Sequence, residues 1–155
     1  MQILFINASP HVHGHVVNLT RALVGHRRFS TVNLVNRTVK QIGQVGSSRD
    51  DFAEITRKVK RSDVIILGTP VYCLDMSGYL KTFVDRMSEI LVNHWPNPFY
   101  HKELYLVVSY AVNPTAVNRI ATVIETECYD MKIRYRGVIS DLPQAREAKI
   151  KSPSN

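Results

Sequence analysis

The sequence predicts an α/β protein, an open parallel sheet with helices on both faces. Three observations carry that expectation. Short apolar runs alternate with segments of helical period, the pattern that builds β-α-β units. The runs are apolar at every position rather than every second one, as in strands covered on both faces. The chain has 155 residues, 45% hydrophobic and 21% charged, which is the size and composition of one globular domain with a buried core.

The elements follow in chain order. Ile3-Leu4-Phe5-Ile6 is the first buried strand. From His15 to Val24, Val16, Leu19 and Leu23 recur at helical spacing on one face. Thr31–Val35 is a weaker strand with Val32 and Leu34 on one side. Asp50–Ser62 gathers Phe52, Ile55 and Val59. Its acids (Asp50, Asp51, Glu54) come first and its bases (Lys58, Lys60, Arg61) last, complementing a helix dipole. Val64-Ile65-Ile66-Leu67 is a second buried strand. Ser77–Val92 carries a wide apolar stripe of Leu80, Phe83, Val84, Met87 and Leu91. Leu104–Val108 is the third buried strand. Asn113-Pro114 is a cap followed by proline at the first helical position, with Val117, Ile120, Ala121 and Ile124 turned inward. Ile133–Ile139 alternates, with Arg134 and Arg136 on the opposite face, which suits an exposed edge strand. The order is β-α-β-α-β-α-β-α-β. One domain is expected over 1–145, with a polar tail over 146–155.

Composition narrows the function. No apolar run approaches the roughly 18–20 residues of a membrane span. Twenty Lys+Arg against 13 Asp+Glu give +7, but the bases are scattered and no motif that reads RNA or DNA accompanies them. The surplus fits a solvated basic face or an attraction for phosphate-bearing small molecules, not a nucleic-acid partner. Cys73 and Cys128 belong to no CxxC pair, which excludes a disulfide framework and a four-cysteine metal site. Met1-Gln2-Ile3-Leu4 has no basic segment ahead of its apolar stretch, so a cytoplasmic protein is expected.

In such sheets ligands bind beyond the carboxyl ends of the strands, which points to the loops Asn7–Gly14, Gly68–Ser77 and Ser109–Asn113. The first follows a buried strand and opens a helix, whose free N–H groups and positive dipole end suit a phosphate. Ser9 adds a hydroxyl, and His11, His13 and His15 add donors. The glycine spacing is neither GxGxxG nor GxxxxGK[ST]. Three histidines at i, i+2, i+4 also leave a metal cluster or a plain exposed turn open. The second loop sets Tyr72 and Cys73 where a flat ligand needs a wall, and Pro70 stiffens it.

Ala8-Ser9-Pro10-His11-Val12-His13-Gly14-His15 resembles the phosphate loop of the flavodoxin-like NAD(P)H-dependent FMN reductases, including their iron–sulfur flavoprotein branch. More specific are Pro70-Val71-Tyr72, Met76-Ser77-Gly78, Leu80-Lys81 and Phe83-Val84-Asp85-Arg86, which are similar to the second flavin loop and the helix after it. Asp50-Asp51-Phe52 leading to Ser62-Asp63-Val64-Ile65 matches in kind. The resemblance runs from Met1 to about Ile139. It implies a flavodoxin-like three-layer sandwich of about five strands in the order 2-1-3-4-5, with FMN as cofactor and NADH or NADPH as co-substrate. It places Ser9, His11, Gly14, His15 and Val16 at the flavin phosphate, Pro70, Val71, Tyr72 and Cys73 along the ring, and Ser109, Tyr110 and Ala111 at its other edge. It implies hydride transfer to flavin and on to a quinone, azo compound or free flavin, with no general acid or base, in a homodimer or dimer of dimers. His11, His15 and Val16 depart from the family's arginine, asparagine and threonine, and Cys73 from its usual aromatic. Asn36–Asp50 has no cysteine, so an iron–sulfur cluster is excluded on ligand grounds.

Alternatives of other classes are a flavodoxin-type electron carrier, which the +7 charge disfavours, and a flavin-free binding module that retains the fold. Cys73 reads as a redox thiol or a small buried residue. Asp85 and Arg86 read as a pair across a dimer or a solvated helix end. Trp95, Phe99 and Tyr100 read as a subunit contact or a pocket wall.

Overall fold

A computed structural model of the chain describes residues 1–44, 46, 48–93 and 97–150. Its elements are β1 (Ile3–Asn7), α1 (His15–Val24), β2 (Ser30–Asn33), α2 (Phe52–Lys60), β3 (Val64–Tyr72), β4 (Asp75–Met76), α3 (Gly78–Asn93), β5 (Glu103–Ser109), α4 (Thr115–Asp130), β6 (Arg134–Ile139) and α5 (Leu142–Ala148). The main sheet runs β2-β1-β3-β5-β6, all parallel. Counted without the two-residue β4, this is the expected 2-1-3-4-5.

The apolar runs split their side chains between two cores, because successive strand residues point to opposite faces. Leu4, Ile6, Ile65, Leu67, Leu104 and Leu106 meet α2, α3 and α4 on one face. Ile3, Phe5, Val64, Ile66, Tyr105 and Val107 meet α1 and α5 on the other. The chain enters at β1, steps to one side for β2 and to the other for β3. The loops after β1 and β3 therefore diverge and open a crevice at the carboxyl end of the sheet.

Several expectations are corrected. Leu91 is exposed and Ile90 takes its place in the core, since a 3.6-residue period lets either position follow Met87. The loop Gly68–Ser77 is mostly sheet: β3 runs to Tyr72 and turns back as β4, pairing Val71 with Met76 and Tyr72 with Asp75. The tail expected from residue 146 is partly folded. α5 extends to Ala148, Ala145 and Ile150 are buried, and the Ile150 N–H donates to the Leu23 carbonyl at 3.2 Å. Strand β6 is an edge, as its alternation suggests. Arg136 pairs with Glu103 at 2.6 Å, and the register slips between Leu104 and Leu106 next to Gly137 at φ 109°.

Candidate functional site

The first loop is built by side chains that satisfy its backbone. Asn7, fully buried, donates through Nδ2 to Asn33 Oδ1 at 2.9 Å and accepts the Ser9 N–H on Oδ1 at 3.1 Å. The Ser9 hydroxyl oxygen accepts the His11 N–H at 3.1 Å, which leaves its proton to donate. Gly14 is the N-cap of α1, with no side-chain cap bond and no acid in the first turn. The first helical bond runs from the Asn18 N–H to the Gly14 carbonyl, so the N–H groups of His15, Val16 and Val17 have no partner within the helix. An uncapped, acid-free helix start is suited to an anion.

Val16 has its backbone in that first turn and its side chain in the core. It is 1% exposed, and a Cβ on Gly68 would fall 2.5 Å from its Cγ1 and 2.6 Å from Phe5 Cε2. A side chain at 68 would push α1 off the sheet.

The second loop is tied to the first. The Ala8 N–H donates to the Gly68 carbonyl at 2.8 Å, and Ser77 Oγ donates to the Ala8 carbonyl at 2.7 Å. Ser77 also caps α3, its Oγ accepting the Leu80 N–H at 3.2 Å, while its own N–H donates to Thr69 Oγ1 at 2.9 Å. The third loop ends in Asn113, whose Oδ1 accepts the Thr115 N–H at 2.9 Å. The helix begins one residue later than the proline position suggests, with the same side chain serving its first turn.

These loops surround a cleft of about 600 Å³ beyond the ends of β1, β3 and β5, within the usual range of roughly 300–1,000 Å³ for ligand pockets. Ser9, His11, Gly14, His15, Val16, Pro70, Val71, Tyr72, Ser109, Tyr110 and Ala111 all line it. Cys73 does not. It sits with Leu74 in the two-residue turn between β3 and β4, exposed, and both residues have positive φ (48° and 63°). Two successive positive φ values are the backbone of a type I′ hairpin turn, which carries the chain back from Tyr72 into β4.

Sequence reasoning missed four lining residues, Leu19, Ser140, Asp141 and Leu142. A helix start at the last three was legible, though not its place at the cleft. Asp141-Leu142-Pro143-Gln144 is a capping-box pattern. Asp141 Oδ1 accepts the Gln144 N–H at 2.8 Å, and Gln144 Oε1 accepts from the Ser140 N–H at 2.8 Å.

Other candidates fall elsewhere. His13 lines a separate hollow with Phe5, Val17 and Arg21, so the three histidines do not converge. Among the described residues no group of three His, Cys, Asp or Glu side chains is placed to hold a metal. Arg86 is neither a dimer pair nor a solvated end. It is 4% exposed, bound to Asp50 at 2.8 Å and Glu89 at 2.7 Å, with its guanidinium 4.5 Å from the Phe52 ring centroid. Asp85 pairs instead with Lys81. Phe99 is fully buried against Phe83, while Tyr100 is exposed. Trp95 lies outside the described residues.

The profile of the NADPH-dependent FMN reductase family matches residues 1–124. The chain is 51% identical over 39 residues to an iron–sulfur flavoprotein of Archaeoglobus fulgidus, covering 25% of this chain and 18% of that one. It is 40% identical over 43 residues to YwqN of Bacillus subtilis, described provisionally as an NAD(P)H-dependent FMN-containing oxidoreductase, covering 28% and 24%. The aligned stretches thus span a quarter or less of those relatives. The fold is similar to that of the Trp repressor binding protein from Bacillus subtilis, with a TM-score of 0.79 at 20% identity over 97% of this chain and all of the other.

Proposed function

The chain belongs to the NADPH-dependent FMN reductase family, and from that premise we propose that it is an FMN-dependent oxidoreductase. It takes hydride from NADH or NADPH and passes the electron pair to a small acceptor, a quinone, an azo compound or free flavin. The observation that carries the proposal is the meeting of eleven separately expected residues, from three loops, around one cleft that ends on an uncapped helix start.

The residues present fit the group. The amides of His15, Val16 and Val17 and the Ser9 hydroxyl would hold the phosphate. Valine in place of the family's threonine removes one hydroxyl donor, worth about 1.5–3 kcal/mol for a bond to a charged group, and leaves the amide in place. Pro70, with no N–H, and Tyr72 would face the ring on one side, and Tyr110 and Ala111 would border it on the other. Bound there, FMN supplies hydride acceptance and release, chemistry that belongs to the cofactor. This chain's part is to orient the ring, seat the phosphate and shield one face from water.

A homodimer is part of the proposal. Support comes from exposed apolar side chains on α3 and α4, among them Val92, Val123 and Tyr129. A cytoplasmic setting is supported by two cysteines that are both unbridged.

The test is a titration of purified protein with FMN, followed by quenching of flavin fluorescence, and then NADPH oxidation by the loaded protein. Saturable quenching with turnover supports the reading. No quenching contradicts it, and quenching without turnover makes the protein a carrier rather than an enzyme.

A further inference from the structure

We infer that a second cleft, walled off from the first by Tyr72, receives the phosphorylated adenosine half of the dinucleotide that brings hydride to the site, with Arg37 as its phosphate contact. The inference rests on the flavin reading above and names where the co-substrate lies. This cleft measures about 710 Å³ and lies between residues 34–44 and the start of α3. Tyr72 lines both clefts, so a molecule whose reactive end rests over a ring in the first has this space directly beside it.

The lining suits a nucleotide in three respects. Tyr79 is 41% exposed at the cleft wall and offers a face for a flat base. Gln41, Gln44 and Thr82 supply amide and hydroxyl groups for ribose and base edges. Arg37 supplies the charge. It gives one bond, 3.2 Å, to Glu54, and that carboxylate also lies 3.4 Å from Lys58. Asp51, which binds Arg49 at 3.0 Å, also attracts Arg37, so three cations (Arg37, Arg49 and Lys58) stand over two carboxylates; a positive surplus remains, and a guanidinium with five N–H groups keeps donors for phosphate. Among the described residues no carboxylate lines this cleft.

The wall is also held in place before any ligand arrives. The Asp51 N–H donates to the Thr38 carbonyl at 2.7 Å, Asp51 Oδ2 accepts the Thr38 N–H at 2.9 Å, and Arg86 Nη1 donates to the Lys40 carbonyl at 2.9 Å. The loop that follows the 3-10 turn Leu34–Asn36 is thereby pinned at its base, which lowers the ordering cost of binding.

The experiment is calorimetric titration of FMN-loaded protein with adenosine 2′,5′-bisphosphate, with inorganic phosphate in a parallel arm. Saturable binding of the bisphosphate is expected, weakened roughly ten- to a hundredfold by Arg37→Gln, the loss of one hydrogen bond to a charged group. Gln44→Glu, which sets a carboxylate in the cleft, is expected to weaken it as well. FMN affinity, read by quenching on the same preparations, should stay unchanged and report that each variant is folded. Loaded protein that ignores the bisphosphate, binds it equally well with Arg37→Gln, or binds inorganic phosphate as tightly, overturns the inference and leaves the flavin reading standing. Failure of FMN itself to bind overturns the flavin reading, and bisphosphate bound in that event with the same Arg37 dependence keeps the cleft as a nucleotide site.

Discussion

Ser77 Oγ donates a 2.7 Å hydrogen bond to the carbonyl of Ala8, across 69 positions of sequence. The same oxygen accepts the Leu80 N–H at the start of α3. One buried hydroxyl therefore fastens the loop after β1 to the loop after β3, the two segments that diverge to open the cleft. It is 1% exposed, so water does not replace it when it is removed.

Ser77→Ala leaves the Ala8 carbonyl and the Leu80 N–H unsatisfied and removes a helix cap. A loss of about 1–3 kcal/mol is expected, read from urea unfolding, together with weaker FMN binding because the two cleft walls are no longer tied. A variant with unchanged stability would show that the loops are held by other contacts.

Gly68→Ala tests the approach of α1 to β3. The new methyl would lie 2.5 Å from Val16 Cγ1 and 2.6 Å from Phe5 Cε2, both inside a packed core. Overpacking of this kind costs about 1–3 kcal/mol. Because Val16 stands in the first turn of α1, FMN affinity should fall along with the unfolding midpoint. Loss of stability alone would separate packing from the phosphate seat.

Arg86 and Asp50 give the pH dependence. Burial pushes the Asp50 carboxyl upward, but hydrogen bonds from Arg86 and the Phe52 N–H outweigh it and hold the group below the ordinary carboxylate range. A pKa lowered by folding contributes stability that is present above the unfolded value, about 3.9, and fades as pH falls through the lower folded value. The urea midpoint should therefore drop on acidification below about pH 4. Arg86→Met leaves the mostly buried Asp50 without its partner, at a cost of about 3–5 kcal/mol. Its Asp50 keeps the N–H bonds of Phe52 and Lys40 but loses the guanidinium, so its carboxyl titrates higher than the parent's and the variant's deficit should shrink as the pH falls from 7 through and below about 4. A constant difference across that range would contradict the pairing.

Native-state alkylation distinguishes the two thiols. Cys128 is 1% exposed, and burial together with Glu127 and Glu125 pushes its thiol up to about 12. Cys73 is exposed in the β3–β4 turn. Iodoacetamide should modify Cys73 alone, as read by peptide mass, with Cys128 labelled only after denaturation. Modification of Cys128 in the folded protein would mean that α4 opens from the sheet.

Much of this architecture was legible because it is local. The buried runs at Ile3, Val64 and Leu104 and the stripe of Leu80, Phe83, Val84 and Met87 each declare their period over a few residues. The segments after β1 and before α3 were legible as the places where strand gives way to helix, though the β3–β4 ribbon within the second was not. What stayed hidden depends on partners far along the chain. Nothing near Arg86 announces that Asp50, 36 residues away, lies 2.8 Å from it. The β4 ribbon is two residues long, too short for periodicity, and its Cys73-Leu74 turn lacks the glycine or asparagine that usually marks positive φ. The contribution of Ser140–Leu142 to the cleft depends on α5 packing against α1, a contact no local pattern encodes.

The central claim is that the uncapped start of α1 seats a flavin phosphate. It is tested most directly by comparing FMN with riboflavin, which lacks the phosphate, in fluorescence titrations of the purified protein. The account predicts saturable quenching of FMN and binding of riboflavin weaker by roughly tenfold or more, the loss of at least one charge-assisted hydrogen bond. Equal affinity for the two molecules, or no quenching of either, would contradict it.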